Sequence, residues 1–441
     1  MRHGATPSAG DLSPGILTHG AGLRALTLAD PVDPVAALAA LGARERPALI
    51  RHGGVTIVAA DPDEVATGAA AWGALAAPAE PRPPGAAMAG GWIGMLAYDL
   101  GGTVERLPAP HPDPGGPPLA ALGRYPTVAA IDDDGRCTIA STGSTADLED
   151  LARAVAGAPP PAPLDPPARR AVASSLPGRA YREAVDAARE LIRAGDCYQV
   201  NLAQRLTAGW DEGAPAFARR LWGAAGPAPR RAFLGLPEGA AVSASPELLV
   251  SLRDGIARSE PIKGTAPLGR MAELRASAKD RAEHVMIVDL VRNDLGRVAR
   301  PGGVRVARLL DALRTPYVEH MVSEVVAELA PGLGPADVLR ATFPGGSVTG
   351  CPKVRAMEVI RELEPVGRGP AFGSMVALGA DGSLEASVAI RTAWHAGDEV
   401  RYWCGGAVVW DSDPEAERAE AWAKAQPFLG ALGLSGAAGG A

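Results

Sequence analysis

A mixed α/β (α+β) fold is what this sequence predicts, and three observations carry the prediction. Short runs rich in β-branched residues, bounded by Gly, Pro and Asp, recur through the first 150 residues. Beyond them, strand-like runs alternate with segments whose apolar residues return at helical spacing. None of these units opens with G-x-G-x-x-G, which argues against a dinucleotide-binding sheet.

In chain order, strands are expected at 55–60 and 92–98, and a hairpin over 128–140 turning at Asp133-Asp134-Gly135. Proline clusters at 81–85 and 108–118 read as surface loops. The proline-rich stretch 158–172 reads as a linker. It would divide an N-terminal region, 1–157, from a larger domain, 173–432, followed by a flexible tail, 433–441. A helix is expected at 181–194, with Tyr181, Val185, Ala188, Leu191 and Ile192 on one stripe and Gly195 as the stop. A strand at 198–202 follows.

The balance of residues narrows the partners. Hydrophobic residues make up 47% and charged residues 21%, as in a globular protein, and the net charge is −7. A phosphate-neutralising domain would be basic, so nucleic acid and anionic membranes fit poorly and small molecules fit better. The run 65–77 is too short to span a bilayer, and the N-terminus lacks the apolar core of a signal peptide. Four scattered cysteines match neither a zinc ribbon nor a disulfide framework, which points to a reduced, cytoplasmic protein.

Three constellations could do chemistry. In 243–264, two apolar-rich runs flank Arg253-Asp254-Gly255 and read as a hairpin. A turn centred on Asp254 puts Glu247 opposite position 261 and Lys263 two residues further along the same face. Lysine is scarce, with only four among 43 basic residues, and an amine beside an acid suits nucleophilic catalysis. A solvated cross-strand ion pair would use the same geometry, and a one-residue slip would separate the two. Next, Glu283 lies near the start of the helical segment 277–292. After Asp413-Pro414, an N-cap and first turn, Glu417, Glu420 and Lys424 share a helix face. Glutamates from two helices could form an open Mg²⁺ site, though most helical glutamates face solvent. Third, 343–353 (FPGGSVTGCPK) combines three glycines and two hydroxyls with Pro352 opening a helix, which could receive an anion. Its spacing is not that of a nucleotide P-loop.

Together these segments resemble the chorismate-utilising enzyme family. The resemblance runs through GDCYQVNLAQR (195–205), EPIKGTAP (260–267), the segment 278–299, FPGGSVTGCPKVRAMEVI, SVAIRT and WCGGAVVWDS, and more weakly through GGWIGMLAYDLG (90–101). It implies an anthranilate-synthase-like fold, a sheet-sandwich core with surrounding helices. Within the family, Lys263 resembles the aminodeoxychorismate-forming branch, where the anthranilate-forming branch has alanine. Gln199 stands where isochorismate- and salicylate-forming members carry a lysine. The resemblance implies Lys263 as nucleophile and Glu247 as acid, with Mg²⁺ on Glu283 and Glu420 and Glu417 supporting through water. It also implies chorismate contacts at Gly264, Thr265, His320, Ser347, Arg391, Gly405 and Gly406. Phe372 replaces a frequent substrate-contacting tyrosine. No cysteine has the setting of a glutaminase nucleophile, so ammonia is expected from a separate glutamine amidotransferase subunit in a heterodimer.

Overall fold

The computed structural model describes residues 17–18, 23–77, 87–113, 115–314 and 318–434; the proline cluster 81–85 lies outside them. Two sheets dominate, of thirteen and ten strands among the described residues, and every described strand pair is antiparallel. The first sheet is buried on both faces. Consecutive residues such as Leu49 and Ile50, Ile57 and Val58, and Phe233 and Leu234 belong alternately to two cores, as the two-residue period of a strand requires. Ile50, Ile57 and Leu234 pack with Ile93, Leu122 and Val376 of the second sheet. Leu49, Val58 and Phe233 pack with the helices Thr145–Ala156, Ala214–Ala225 and Gln426–Ala431.

The division at 158–172 does not separate two cores. Strand Ala48–His52 pairs with Arg230–Leu236, and Gly91–Leu96 pairs with Ser374–Gly379, so in each sheet the strands from the two sides of the stretch join at one seam, and both cores draw residues from both sides. Nor is the stretch a free linker. Arg219 donates to Ala162 O at 2.7 Å, Arg220 to Asp165 O at 2.8 Å, and Arg170 pairs with Asp211 at 2.6 Å over the Trp210 ring. Its last residue, Val172, already begins a strand, Val172–Ser174. At the other end Leu434 bonds back to Leu429 O at 2.8 Å, and 435–441 lies outside the described residues.

Local expectations fare better. The expected helix is Gly178–Arg193, with Tyr181, Val185, Ala188 and Ile192 buried and Gly195 at φ 88° just beyond it. Ser277 and Asp413 cap the helices Ala278–Gly296 and Pro414–Lys424 through their side chains. Lys353 opens the helix Lys353–Leu363, and its ammonium is 2.7 Å from Asp294 with both side chains buried. Lys353→Met leaves that carboxylate without its partner and is expected to cost about 3–5 kcal/mol of stability, read by thermal unfolding. Asp294→Asn in the same chain should restore most of it. No described helix is long and apolar enough to cross a membrane.

One hairpin positions the chemistry. Strands Leu248–Arg253 and Ile256–Glu260 join through Asp254 and Gly255, both at positive φ (50° and 73°), as a two-residue hairpin turn of the primed type demands. Arg253 opposes Ile256, and after a bulge Leu248 opposes Glu260, so Glu247 falls opposite position 261. Pro261 interrupts the strand, having no N–H. Register against Val318–Leu329 nevertheless continues unbroken, with Ser259 opposite Val325 and Ile262 opposite Val322. Ala257, Ser259 and Pro261 are buried, and Lys263 shares their face of the extended chain.

Candidate active site

Lys263 sits in Ile262–Pro267, half-buried, among four charges from three segments: Glu247 before Leu248–Arg253, Glu283 on Ala278–Gly296, and Glu420 and Lys424 on Pro414–Lys424. Burial lowers the proton affinity of its amine, and Lys424 lowers it further, while Glu247, Glu283 and Glu420 pull it back. Glu247 is 5% exposed, and burial raises its carboxyl above the usual range. The Ser347 hydroxyl and the Ile262 N–H donate to that carboxylate and oppose the rise, as does the Lys263 charge. Next to Lys263, Gly264 takes φ 81° at a bulge in the pairing with Val318–Leu329. Thr265 pairs with His320 through the backbone, and its side chain lies outside the described residues.

The glutamates form a second wall. Glu283, on Ala278–Gly296, has its carboxyl raised by burial, with Lys263 and Lys279 opposing. Burial alone would raise Glu420 as well, but Lys424 at 2.7 Å, with Lys263 and Lys279, holds it below the usual value. Glu417 is 7% exposed; its Oε1 accepts from Ser412 at 2.7 Å, and its Oε2 has no hydrogen-bond partner among the described residues. Strand Glu399–Val408 clears the space in front of that atom. A Cβ at Gly406 would lie 2.9 Å from Glu417 Oε2, and one at Gly405 would meet Leu202 O on the adjoining strand at 2.0 Å. Lys424 Nζ donates to Gly405 O at 3.1 Å.

This arrangement can hold a hard cation. An orphaned carboxylate oxygen, a glycine-cleared recess and carboxylates from two helices suit Mg²⁺, which keeps several ligands from water or substrate. Among the described residues, no three His, Cys, Asp or Glu side chains group closely enough to hold a metal by themselves. A cavity of about 510 Å³ bordered by Leu38, Arg46 and Phe233 contains none of these side chains.

Other expected residues fall around this centre with some differences. Ser347 lies in the short turn Gly346–Val348, and the N–H groups of Val348 and Thr349 close that turn onto Gly345 O and Gly346 O, so they are not free for an anion. Arg391 is not in a strand; it follows Leu384–Val388 in a connection, at φ 51°. Its charge acts on His320, whose imidazole is held below its usual proton affinity by burial and then by Arg391, and which bonds Gly264 O. Phe372, at φ 62°, turns its ring to the Arg368 guanidinium at 4.7 Å. Left-handed backbone at two such bulky residues is costly and persists only where the surrounding packing over-determines it. Gln199 is fully buried, with neither amide atom bonded among the described residues.

Sequence reasoning missed His284. Its Nε2 meets Ser323 Oγ at 2.7 Å and its Nδ1 meets Lys263 O at 3.3 Å, which pins the strand bearing the amine. Ser412 was missed too, although it lies five residues before Glu417 in sequence, within one cap of the helix.

A family model for chorismate binding enzymes matches residues 40–430. Aminodeoxychorismate synthase component 1 from Klebsiella aerogenes is 40% identical over 365 residues, covering 79% of each chain. Anthranilate synthase component 1 from Streptomyces coelicolor is 37% identical over 375 residues, covering 78% of this chain and 73% of its own. Among solved structures, anthranilate synthase component I from Streptococcus pneumoniae superposes with a TM-score of 0.74 at 27% identity, over 95% of this chain and 94% of that one. The menaquinone-specific isochorismate synthase from Escherichia coli shares the fold, with a TM-score of 0.73 at 20% identity over 93% and 95% of the two chains. Fold, site and relatives converge on one conclusion: the chain belongs to the chorismate binding enzyme family.

Proposed function

We propose that this chain aminates chorismate at ring carbon 4, the activity of an aminodeoxychorismate synthase component 1. One juxtaposition carries the reading. The Lys263 amine, made less basic by burial and Lys424, faces the Glu247 carboxyl, made less acidic by burial. The amine lone pair forms a bond to ring carbon 2, the double bonds shift, and the 4-hydroxyl leaves with the Glu247 proton as water. The proton released by the new ammonium returns to Glu247. Ammonia then bonds to carbon 4, and the shift reverses to expel the Lys263 amine. Net, chorismate and ammonia give 4-amino-4-deoxychorismate and water.

Mg²⁺ held through Glu283 and Glu420, with Glu417 supporting through water, would polarise the ring carboxylate as the hydroxyl departs. Glu283→Gln and Glu420→Gln keep volume and remove a charge, so each should raise the Mg²⁺ concentration needed for half-maximal rate. Titration of the purified variants reads this, and unchanged Mg²⁺ dependence in both would remove them from the site. Ammonia is supplied, in this reading, by a glutamine amidotransferase subunit in a heterodimer. The purified chain should use ammonium salts, faster as pH rises and more NH₃ is free, and should use glutamine only with that subunit added.

A second reading, 2-amination by an anthranilate-type enzyme, draws on the 37% identical relative. Chromatography of the products from chorismate, Mg²⁺ and an ammonium salt separates the two. The 4-amino product supports the first reading, and 2-aminobenzoate the second.

A further inference from the structure

Along one edge of the strand Gln199–Gly209, no described strand pairs with positions 201–205. Gly350–Cys351 pairs only with Gln199 and Val200, Thr349 O takes the Asn201 N–H at 2.9 Å, and the next strand, Val172–Ser174, begins at Leu206. Two side chains fill the gap. Glu364 Oε1 accepts from Ala203 N at 2.8 Å, and Arg368 Nη2 donates to Asn201 O. The pair supplies the acceptor and donor that a neighbouring strand would have offered. Arg368 is 1% exposed and Glu364 4%. The guanidinium also donates through Nε to Glu364 Oε2 at 2.9 Å and through Nη1 to Val348 O at 2.7 Å, and it lies against the Tyr98 and Phe372 rings at 4.5 and 4.7 Å. Lysine, a point charge on a flexible stem, could not hold both carbonyls and the carboxylate in one plane.

Val348 follows Ser347, whose hydroxyl donates to Glu247. We infer that Arg368 is a positioning residue for the acid step: by tying Val348 O to the Gln199–Gly209 strand, it holds the Ser347 hydroxyl on the Glu247 carboxyl. This rests on the role given to Glu247 above. It explains why a fully buried ion pair, often replaceable by apolar residues without loss of stability, stands directly behind this turn.

The test separates position from stability. Glu364→Leu with Arg368→Met replaces the pair by apolar side chains of similar volume, a change that commonly preserves folding. Measured on folded, full-length protein with chorismate, Mg²⁺ and an ammonium salt, kcat should fall on the order of tenfold, the rate equivalent of one hydrogen bond to a charged group, with KM for chorismate little changed. Ser347→Ala should lose a similar factor, and combining the changes should lose little more, because they act on one contact. If the double variant does not fold, Arg368→Lys in the presence and absence of Ser347→Ala gives the same comparison. Wild-type kcat in the folded double variant, or losses that multiply with those of Ser347→Ala, would overturn the inference. Failure of the amination reading would show instead as a different product from the unaltered chain.

Discussion

Lys263→Ala is expected to lower ammonia-dependent turnover of chorismate on the order of 10³-fold, equivalent to about 4 kcal/mol of barrier. Only four lysines stand among 43 basic residues, and this one is placed where burial and Lys424 lower its proton affinity. Alanine removes the lone pair that bonds to the ring. Lys263→Arg should fail comparably, since a guanidinium stays protonated. Neither variant should unfold, because Lys263 is half-buried and His284 bonds the main-chain oxygen rather than the side chain. The 4-amino product formed at the wild-type rate by Lys263→Ala would exclude the covalent role.

Glu247→Gln should cost roughly 10²–10⁴-fold by withholding the proton that the leaving hydroxyl needs. The pH profile, taken at fixed free ammonia, carries the signature. In the unaltered chain the rate needs an unprotonated Lys263 and a protonated Glu247, so it rises and then falls with pH, and both apparent pKa values belong to the pair. Burial shifts the two groups toward each other, the acid upward and the amine downward, which enlarges the fraction in that state. Glutamine cannot lose a proton, so the falling limb should vanish and the rate should only rise as Lys263 deprotonates. A falling limb that persists in Glu247→Gln would assign the acid elsewhere.

What the sequence disclosed about this site was set by local chemistry. Asp254-Gly255 dictates a two-residue turn, but counting from that turn alone would set Glu247 opposite Ile262; the bulge between Leu248 and Ser251, which no residue pattern announces, brings it opposite position 261 instead. Asp413-Pro414 fixes where a helix begins, and hence that Glu417, Glu420 and Lys424 share a face. Hidden features depend on partners far along the chain. Ala48–His52 finds Arg230–Leu236, nearly two hundred positions away, so a proline-rich stretch between them looked like a domain boundary although both sheets continue across it. That stretch is held by arginines 219 and 220, whose roles as straps no periodicity reveals. His284 and Arg368 act through main-chain atoms of other segments, and backbone carbonyls leave no mark on residue identity. Arg391 read as part of a strand because its neighbours Val388, Ala389 and Ile390 are apolar, yet the chain turns there into left-handed backbone.

In the proposed mechanism Lys263 becomes bonded to the substrate ring, and acid quenching during turnover would capture that adduct. The unaltered chain, mixed with chorismate and Mg²⁺ without ammonia, quenched and cut at arginines, should yield the 259–270 peptide carrying the mass of chorismate less water on Lys263. Addition of an ammonium salt before quenching should deplete that mass as the 4-amino product forms. A chorismate-derived mass on any other residue, or an unmodified 259–270 peptide at every time point in protein that is consuming chorismate, would contradict it.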